Sequence, residues 1–243
     1  MIGRVQERQT LLSAVKNRDS LLLLGPGGSG KTALVQGLPQ TEGWEDARLY
    51  ISNFESPHDL LVQIARGLLR SRHGTFCSRA KAGPDHEGWL SRQTSMHLKG
   101  LLWTALETEP RTLIVDGVNR AGHQAYRFLQ HLYFVRGMAM IATARDHLHL
   151  GELGRLFWDP RTTLRLPPLS DDEALRLFET AADHFELRHL MLDEFRRKVL
   201  DSAEGNPGQI VEMCRLASNP QYVTGNYIKF ALVRIDVMMK YLG

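Results

Sequence analysis

The sequence predicts an α/β fold: a five-stranded parallel sheet flanked by helices, followed by a small all-α domain. Three observations lead to it. Short apolar runs of strand character alternate with helical segments as far as Leu169, the pattern of a parallel sheet covered on both faces. One run, Leu21–Leu24, passes directly into a glycine-rich turn and then a helix. From Ser170 onward strand signals stop and helical patterns follow one another. The boundary near Pro168–Ser170 divides the chain into a core at 1–169 and a helical domain at 170–243.

The elements follow in order. Glu7 to Val15 has apolar residues at helical spacing and precedes a strand at 20–24. A helix runs from near Gly30 to about Leu38. The alternating stretch ARLYISNF (47–54) is a second strand. Ser56 is an N-cap and Pro57 a first helical residue, opening a helix that ends near Arg70. Residues 71–89, with their Gly, Ser and Pro, read as a long loop. A helix covers 91–108 and stops before Pro110. TLIVD (112–116) is a buried strand, 121–134 a helix, 137–146 a fourth strand, 150–157 a short helix and 162–169 the fifth strand. Ser170 and Glu173 form a capping box for the next helix. Helices at 192–203, 207–217 and 224–241 complete the chain.

The turn carries the chemistry. Residues 25–32 read G-P-G-G-S-G-K-T, which fits the phosphate-binding spacing G-x-x-x-x-G-K-[ST]. The cradle comprises Gly25, Pro26, Gly27, Gly28, Ser29, Gly30, Lys31, Thr32 and Ala33. Glycines leave room for backbone N–H groups to close around phosphate oxygens, and the following helix directs its positive end at them. Lys31 reaches the β- and γ-phosphates, and the Thr32 hydroxyl ligates Mg²⁺. A triphosphate site also needs an acid at the end of a neighbouring strand. Asp116, leaving four apolar or β-branched residues, supplies it. A carboxylate at the exit of a buried strand is costly unless it serves a cation or a helix N-terminus, and a helix cap is the other role open to it.

Composition sets the bounds. The 243 residues are 43% hydrophobic and 23% charged, with a formal net charge of +3, ordinary for a globular chain. No apolar run approaches the ~20 residues that span a bilayer, and no basic-then-apolar leader opens the sequence. Cys77 and Cys214 have no metal-ligand spacing around them, which fits free thiols in a cytoplasmic setting. His147 and His149 stand two apart, a spacing that does not bring them onto one helical face.

These motifs together resemble the AAA+ and STAND branch of P-loop ATPases. Gly3–Arg4 with Glu7, the loop at 25–32, TLIVD, MIATAR (140–145), LPPLSDDEALRLF (166–178) and GNP (205–207) occur in that order. Origin-recognition initiators, STAND signalling ATPases and bacterial transposition ATPases are the nearest in pattern, over about residues 2–217. The resemblance implies ATP with Mg²⁺, and a P-loop NTPase core of AAA+ type with a helical lid. It places Gly3 and Arg4 by the adenine and makes Thr143 the polar sensor of the γ-phosphate, with Arg145 two residues on. It brings Gly205–Pro207 and the lid against the nucleotide. It also implies an arginine acting in trans before the fifth strand, where Arg155 and Arg161 stand, an effect of ~10³-fold or more in related enzymes. Arg155, on the short helix, is the preferred of the two; pairing with Glu152 or Asp159 is the other role open to either.

One departure matters. Most hydrolytic members carry a second acid directly after the magnesium aspartate, to orient the attacking water. Here Gly117, Val118 and Asn119 follow Asp116. Asn119 can position a water but cannot take its proton, and Glu55 is the substitute base the sequence offers. Slow hydrolysis, with nucleotide occupancy as a switch, is the expectation.

Two surfaces suggest partners. Between Asp59 and Asp85 there is no acid, whereas Arg66, Arg70, Arg72, Arg79 and Lys81 supply five positive charges. Ser71, Thr75, Phe76 and Ser78 are interleaved, a mixture suited to phosphodiester contacts with duplex DNA; a solvated basic surface at a helix C-terminus is the plain alternative. The last helix carries Tyr227, Phe230, Leu232, Ile235, Met238 and Leu242, more apolar side chains than one packed face needs, and the excess suits a homo-oligomer contact. The leading expectation is an ATP-dependent assembly factor that forms oligomers on DNA and recruits a protein partner. The alternative is a STAND-type module controlling a protein effector without DNA.

Overall fold

The computed structural model describes residues 2–38, 48–119 and 121–242. Ala47, the expected start of the second strand, and the side chain of Leu242 lie outside the described residues. The chain forms two compact units: residues 6–24 with 32–165, and residues 1–5 with 25–31 and 166–243.

The first unit is built on five parallel strands. In chain order its elements are α1 (Val5–Asn17), β1 (Leu21–Leu24), α2 (Lys31–Gln36), β2 (Arg48–Ser52), α3 (Pro57–Arg70), α4 (Gly74–Ala80), α5 (His86–Ser91), α6 (Ser95–Thr108), β3 (Thr112–Asp116), α7 (His123–Phe134), β4 (Ala139–Ala144) and β5 (Thr163–Arg165). The sheet order is β2-β3-β4-β1-β5, and every pairing is parallel. Alternation across the pleat divides the side chains. Leu22, Leu24, Leu49, Ile51, Leu113, Val115, Met140 and Ala142 join one cluster with buried residues of α3, α6 and α7. Leu21, Leu23, Ile114 and Ile141, on the other face, are buried as well. A sheet buried on both faces explains why β1, β3 and β4 are continuous apolar runs instead of alternating ones. All strands point the same way, so the carboxyl ends of β1, β3 and β4 share one edge of the sheet.

Residues 71–89 are not a long loop. α4 and α5 fill most of the stretch, and α6 begins at Ser95, behind a Thr94 cap, instead of at 91. The two added helices are under two turns long, so they need caps more than propensity. His73 caps α4: its Nδ1 accepts from Phe76 N at 3.2 Å, and its Nε2 lies 3.0 Å from the Glu109 carbonyl oxygen. Glu109 also accepts from Thr75 N at 2.9 Å and from the Thr75 hydroxyl. Phe76 is fully buried, so it is a core residue and not part of a polar surface. The segment expected as a short helix at 150–157 forms 3₁₀ turns at Leu148–Leu150 and Glu152–Phe157.

The second unit contains α8 (Asp171–His184), α9 (Leu192–Ala203), α10 (Pro207–Ala217), β6 (Val223–Thr224), β7 (Tyr227–Ile228) and α11 (Phe230–Leu242). The Ser170–Glu173 capping box is present. Its core draws on each of these helices, with Phe178, Val199, Ile210, Cys214 and Val233 fully buried. Strands were not expected after Ser170; β6 and β7 form a small antiparallel hairpin around Gly225–Asn226, which delays α11 to Phe230. Gly-Asn between two β-branched or aromatic pairs was the available hairpin signal. Among the described residues no helix is long and apolar enough to cross a membrane.

Candidate functional site

The loop at 25–31 belongs to the second compact unit. Ser29 N donates to Pro26 O at 3.2 Å, closing a turn, and Gly28 and Gly30 take φ +78° and +93°. Lys31 folds back over the loop, its Nζ 2.5 Å from Gly25 O and 2.9 Å from Pro26 O. The ammonium thus stands over the glycine turn. Thr32 and Ala33, at the start of α2, are exposed.

The helical segment packs directly on this loop. Asn206 caps α10, its Oδ1 accepting from Gly208 N and Gln209 N at 3.1 and 3.3 Å. Its Nδ2 donates to Gly27 O at 2.8 Å, and Gly208 N donates to Gly28 O at 2.9 Å. Pro207 lies within 3.9 Å of where a side chain on Gly30 would begin. Gly205, at φ +74°, packs so closely that a Cβ would stand 2.6 Å from Leu169 O; only glycine fits there. Arg4 is buried, with its guanidinium 3.3 Å from Ser29 O. Arg4, Pro26, Ser29, Pro168, Asn206 and Pro207 are among the residues around a cavity of about 230 Å³, room for one planar ring system beside the loop. Asn206 was not expected as a site residue; its position between Gly205 and Pro207, where a cap belongs, was the signal.

In the sheet unit, Asp116 ends β3 and is 5% exposed. Its Oδ1 accepts from the Thr143 hydroxyl at 2.5 Å, and its Oδ2 from the Tyr50 hydroxyl at 2.6 Å. Thr143, in β4 and fully buried, accepts in turn from Gly117 N at 2.8 Å. Gln36, in α2, donates to Tyr50 Oη at 3.0 Å. Burial and the carboxylate beside it push the Tyr50 hydroxyl up to about 12, so it remains a donor. Asp116 therefore does not act as a helix cap. Each oxygen takes one hydroxyl and keeps a further lone pair. This donor set fits Mg²⁺, which is held by one or two carboxylates with phosphate oxygens and water. Among the described residues no group of three or more His, Cys, Asp or Glu forms a metal site of its own.

Gly117 has φ +72°, and a Cβ there would lie 2.5 Å from Asn53 Oδ1. A side chain at the position where a second acid is expected would have to adopt this left-handed backbone and push the Asn53 side chain aside. Asn119 and Glu55 are both exposed.

The remaining candidates are spread over the surface of the same unit. Arg145 is exposed just beyond β4. Arg155 is 70% exposed, 3.8 Å from Glu152 and over the Tyr126 ring at 5.9 Å. Arg161 is engaged by Asp159 through Nε and Nη2, at 3.0 and 2.7 Å. In the basic segment, Arg66 is paired bidentately with Glu87 of α5, at 2.7 and 2.8 Å. Arg70, Arg72, Arg79 and Lys81 are exposed. The segment thus offers four available cations instead of five.

The comparisons with known proteins agree with this architecture. Among curated proteins none matches the sequence. Solved structures do: a Walker-type ATPase of Pyrococcus abyssi (TM-score 0.64, 13% identity, 99% of this chain on 72% of that one); a signal transduction ATPase with numerous domains, with a tetratricopeptide repeat sensor, from Pyrococcus horikoshii (0.54, 18%, 99% on 32%); and Cdc6p from Pyrobaculum aerophilum (0.58, 15%, 88% on 61%). The chain thus spans about a third of the second and three-fifths of the third. At these identities the likeness is one of fold. The family model described as an AAA domain matches residues 14–150, from within α1 through the six residues after β4. The chain belongs to the AAA domain family of P-loop ATPases.

Proposed function

We propose that this AAA protein is a slow ATPase that uses nucleotide occupancy as a switch, assembling as a homo-oligomer on duplex DNA and recruiting a protein partner. The observation that carries the reading is the direct bonding of Asn206 and Gly208 to the carbonyl oxygens of Gly27 and Gly28. The loop that would close around phosphate is the same loop that α10 grips, so filling it alters what the helical segment holds.

In this reading residues 25–33 cradle the triphosphate, Lys31 neutralises its β- and γ-oxygens, and Arg4 and Pro207 border the base. Thr32 and Asp116 would hold Mg²⁺, which neutralises charge on the transferred phosphoryl group. Thr143 orients Asp116 and senses the γ-phosphate. Arg145 and, from a second copy, Arg155 or Arg161 would compensate charge at the phosphoryl group. Arg155 is favoured, because its contact with Glu152 at 3.8 Å is looser than the grip of Asp159 on Arg161. The glycine at position 117, which brings no acid to orient water, supports slow turnover. Arg70, Arg72, Arg79 and Lys81 supply the DNA contacts.

The test is retention of non-specific duplex DNA by ATP-loaded protein at low and high salt. ATP-dependent, salt-sensitive retention that disappears in Lys31→Ala is expected; binding that ignores ATP would remove the switch. A second reading, a signalling ATPase acting on a protein effector, is favoured by the Pyrococcus horikoshii neighbour, of which this chain matches the portion equal to 32%. No DNA retention under any condition would select it.

A further inference from the structure

The Asp116 carboxylate is gripped from two sides, and only one of the two donors belongs to the resemblance. Thr143 is expected from MIATAR. Tyr50 stands on the edge strand β2, 66 residues away in sequence. In the register of β2 with β3, Tyr50 pairs with Ile114, and Ser52 is the residue opposite Asp116. The Tyr50 oxygen therefore reaches two positions along the neighbouring strand, about 7 Å of strand rise, a span that fits a phenol and exceeds a serine or threonine.

The direction of its hydrogen bond is also fixed. Gln36 Nε2 donates to Tyr50 Oη, so the single phenolic hydrogen is committed to Asp116 Oδ2. The relay runs from Gln36 through Tyr50 to Asp116, and from the Gly117 amide through Thr143 to the other oxygen. Packing does not require the hydroxyl: Tyr50 is 38% exposed, and a phenylalanine ring would occupy the same volume.

We propose that Tyr50 is a positioning residue for the metal-anchoring carboxylate, locking one rotamer of Asp116 from the Oδ2 side, with Gln36 orienting the tyrosine hydroxyl. This rests on the reading that Asp116 serves Mg²⁺. One hydroxyl on each oxygen leaves the second lone pair of each for metal-bound water, and partners of this outer kind change metal affinity by about 10–100-fold when removed.

The test uses the full chain with Mn²⁺ as a paramagnetic replacement for Mg²⁺, loaded with a non-hydrolysable ATP analogue. Free Mn²⁺ is counted by electron paramagnetic resonance for wild type, Tyr50→Phe, Gln36→Ala and Asp116→Asn. Tyr50→Phe is expected to weaken Mn²⁺ binding about tenfold and Gln36→Ala to shift it in the same direction by less. Affinity for the analogue in EDTA and the melting temperature of Tyr50→Phe stay at wild-type values. If Tyr50→Phe binds Mn²⁺ like wild type while Asp116→Asn does not, the tyrosine role is overturned and the aspartate role stands. If Asp116→Asn also binds Mn²⁺ like wild type, both fall. If Tyr50→Phe loses analogue affinity in EDTA or melts early, the hydroxyl is structural and the proposal is overturned.

Discussion

The side-chain amide of Asn206 donates to the carbonyl oxygen of Gly27 at 2.8 Å while its own oxygen caps α10. One residue thereby closes a helix start and grips the phosphate loop, and the two duties can be separated. Asn206→Asp keeps a capping oxygen and loses the donor to Gly27. Asn206→Ala loses both. The alanine variant is expected to be destabilised by about 1 kcal/mol, a shift of roughly 2–4 °C for a chain of this size, and to bind ATP more weakly. The aspartate variant should melt near the wild-type temperature and still lose ATP affinity. Thermal unfolding and nucleotide titration, run side by side, check this; equal ATP affinity in all three proteins would detach the clamp from nucleotide binding.

Supplying the missing acid at position 117 should not produce a fast enzyme. A residue with a Cβ there must hold φ near +72°, at a cost of roughly 1–2 kcal/mol, and must displace Asn53, whose Oδ1 stands 2.5 Å from the added atom. The Gly117 amide would also shift away from Thr143 and loosen the Asp116 carboxylate. Gly117→Glu is therefore expected to unfold at lower denaturant and to release phosphate no faster than wild type. A gain in turnover at unchanged stability would show that the glycine is dispensable.

The spacing of residues 25–32 and the acid after TLIV were legible because each is local: the chemistry lies within eight consecutive residues or one strand. The contact of Tyr50 with Asp116 was not, because it comes from register between strands far apart in sequence. The helices α4 and α5 were not, because Glu109, distant in sequence, stabilises the start of α4 and both are too short to leave a periodic stripe. The count of available cations between 66 and 81 was too high by one for the same reason. Glu87 lies just outside the acid-free interval, yet α5 carries it onto Arg66.

That pairing makes a sharp prediction for DNA. The double variant Arg66→Ala/Glu87→Ala should leave retention close to wild type, because the guanidinium is already held by Glu87 and the pair presents no net charge. Arg79→Ala should weaken retention uniformly across sequences and lower the salt slope by about one. Glu87→Ala frees Arg66 and should strengthen retention at low salt. Filter binding over a salt series distinguishes these; equal losses for the double variant and for Arg79→Ala would place Arg66 in the contact surface.

In the helical unit, Glu212 of α10 is nearly buried and meets Arg215 at 2.8 Å and Lys240 of α11 at 2.9 Å. The hydrogen bonds from Arg215, and then Lys240, hold its carboxyl down at about 2, below the ordinary value of 4.5. A depressed folded value means that the unfolded chain binds the proton more readily. The pairing stabilises the fold fully above about pH 4.5, and that stability is lost as the pH falls toward 2. The difference corresponds to an upper value on the order of 3 kcal/mol. Glu212→Gln keeps the shape of the side chain but cannot titrate, so its acid-unfolding curve should be flatter between pH 4.5 and 2, with lower stability at neutral pH. Lys240→Ala, which removes the tie to α11 and leaves Arg215 in place, should fall between the two. Denaturant unfolding at a series of pH values measures all three. A glutamine variant with the wild-type slope in that window would mean that other carboxylates, not Glu212, carry the acid sensitivity of the α10–α11 pair.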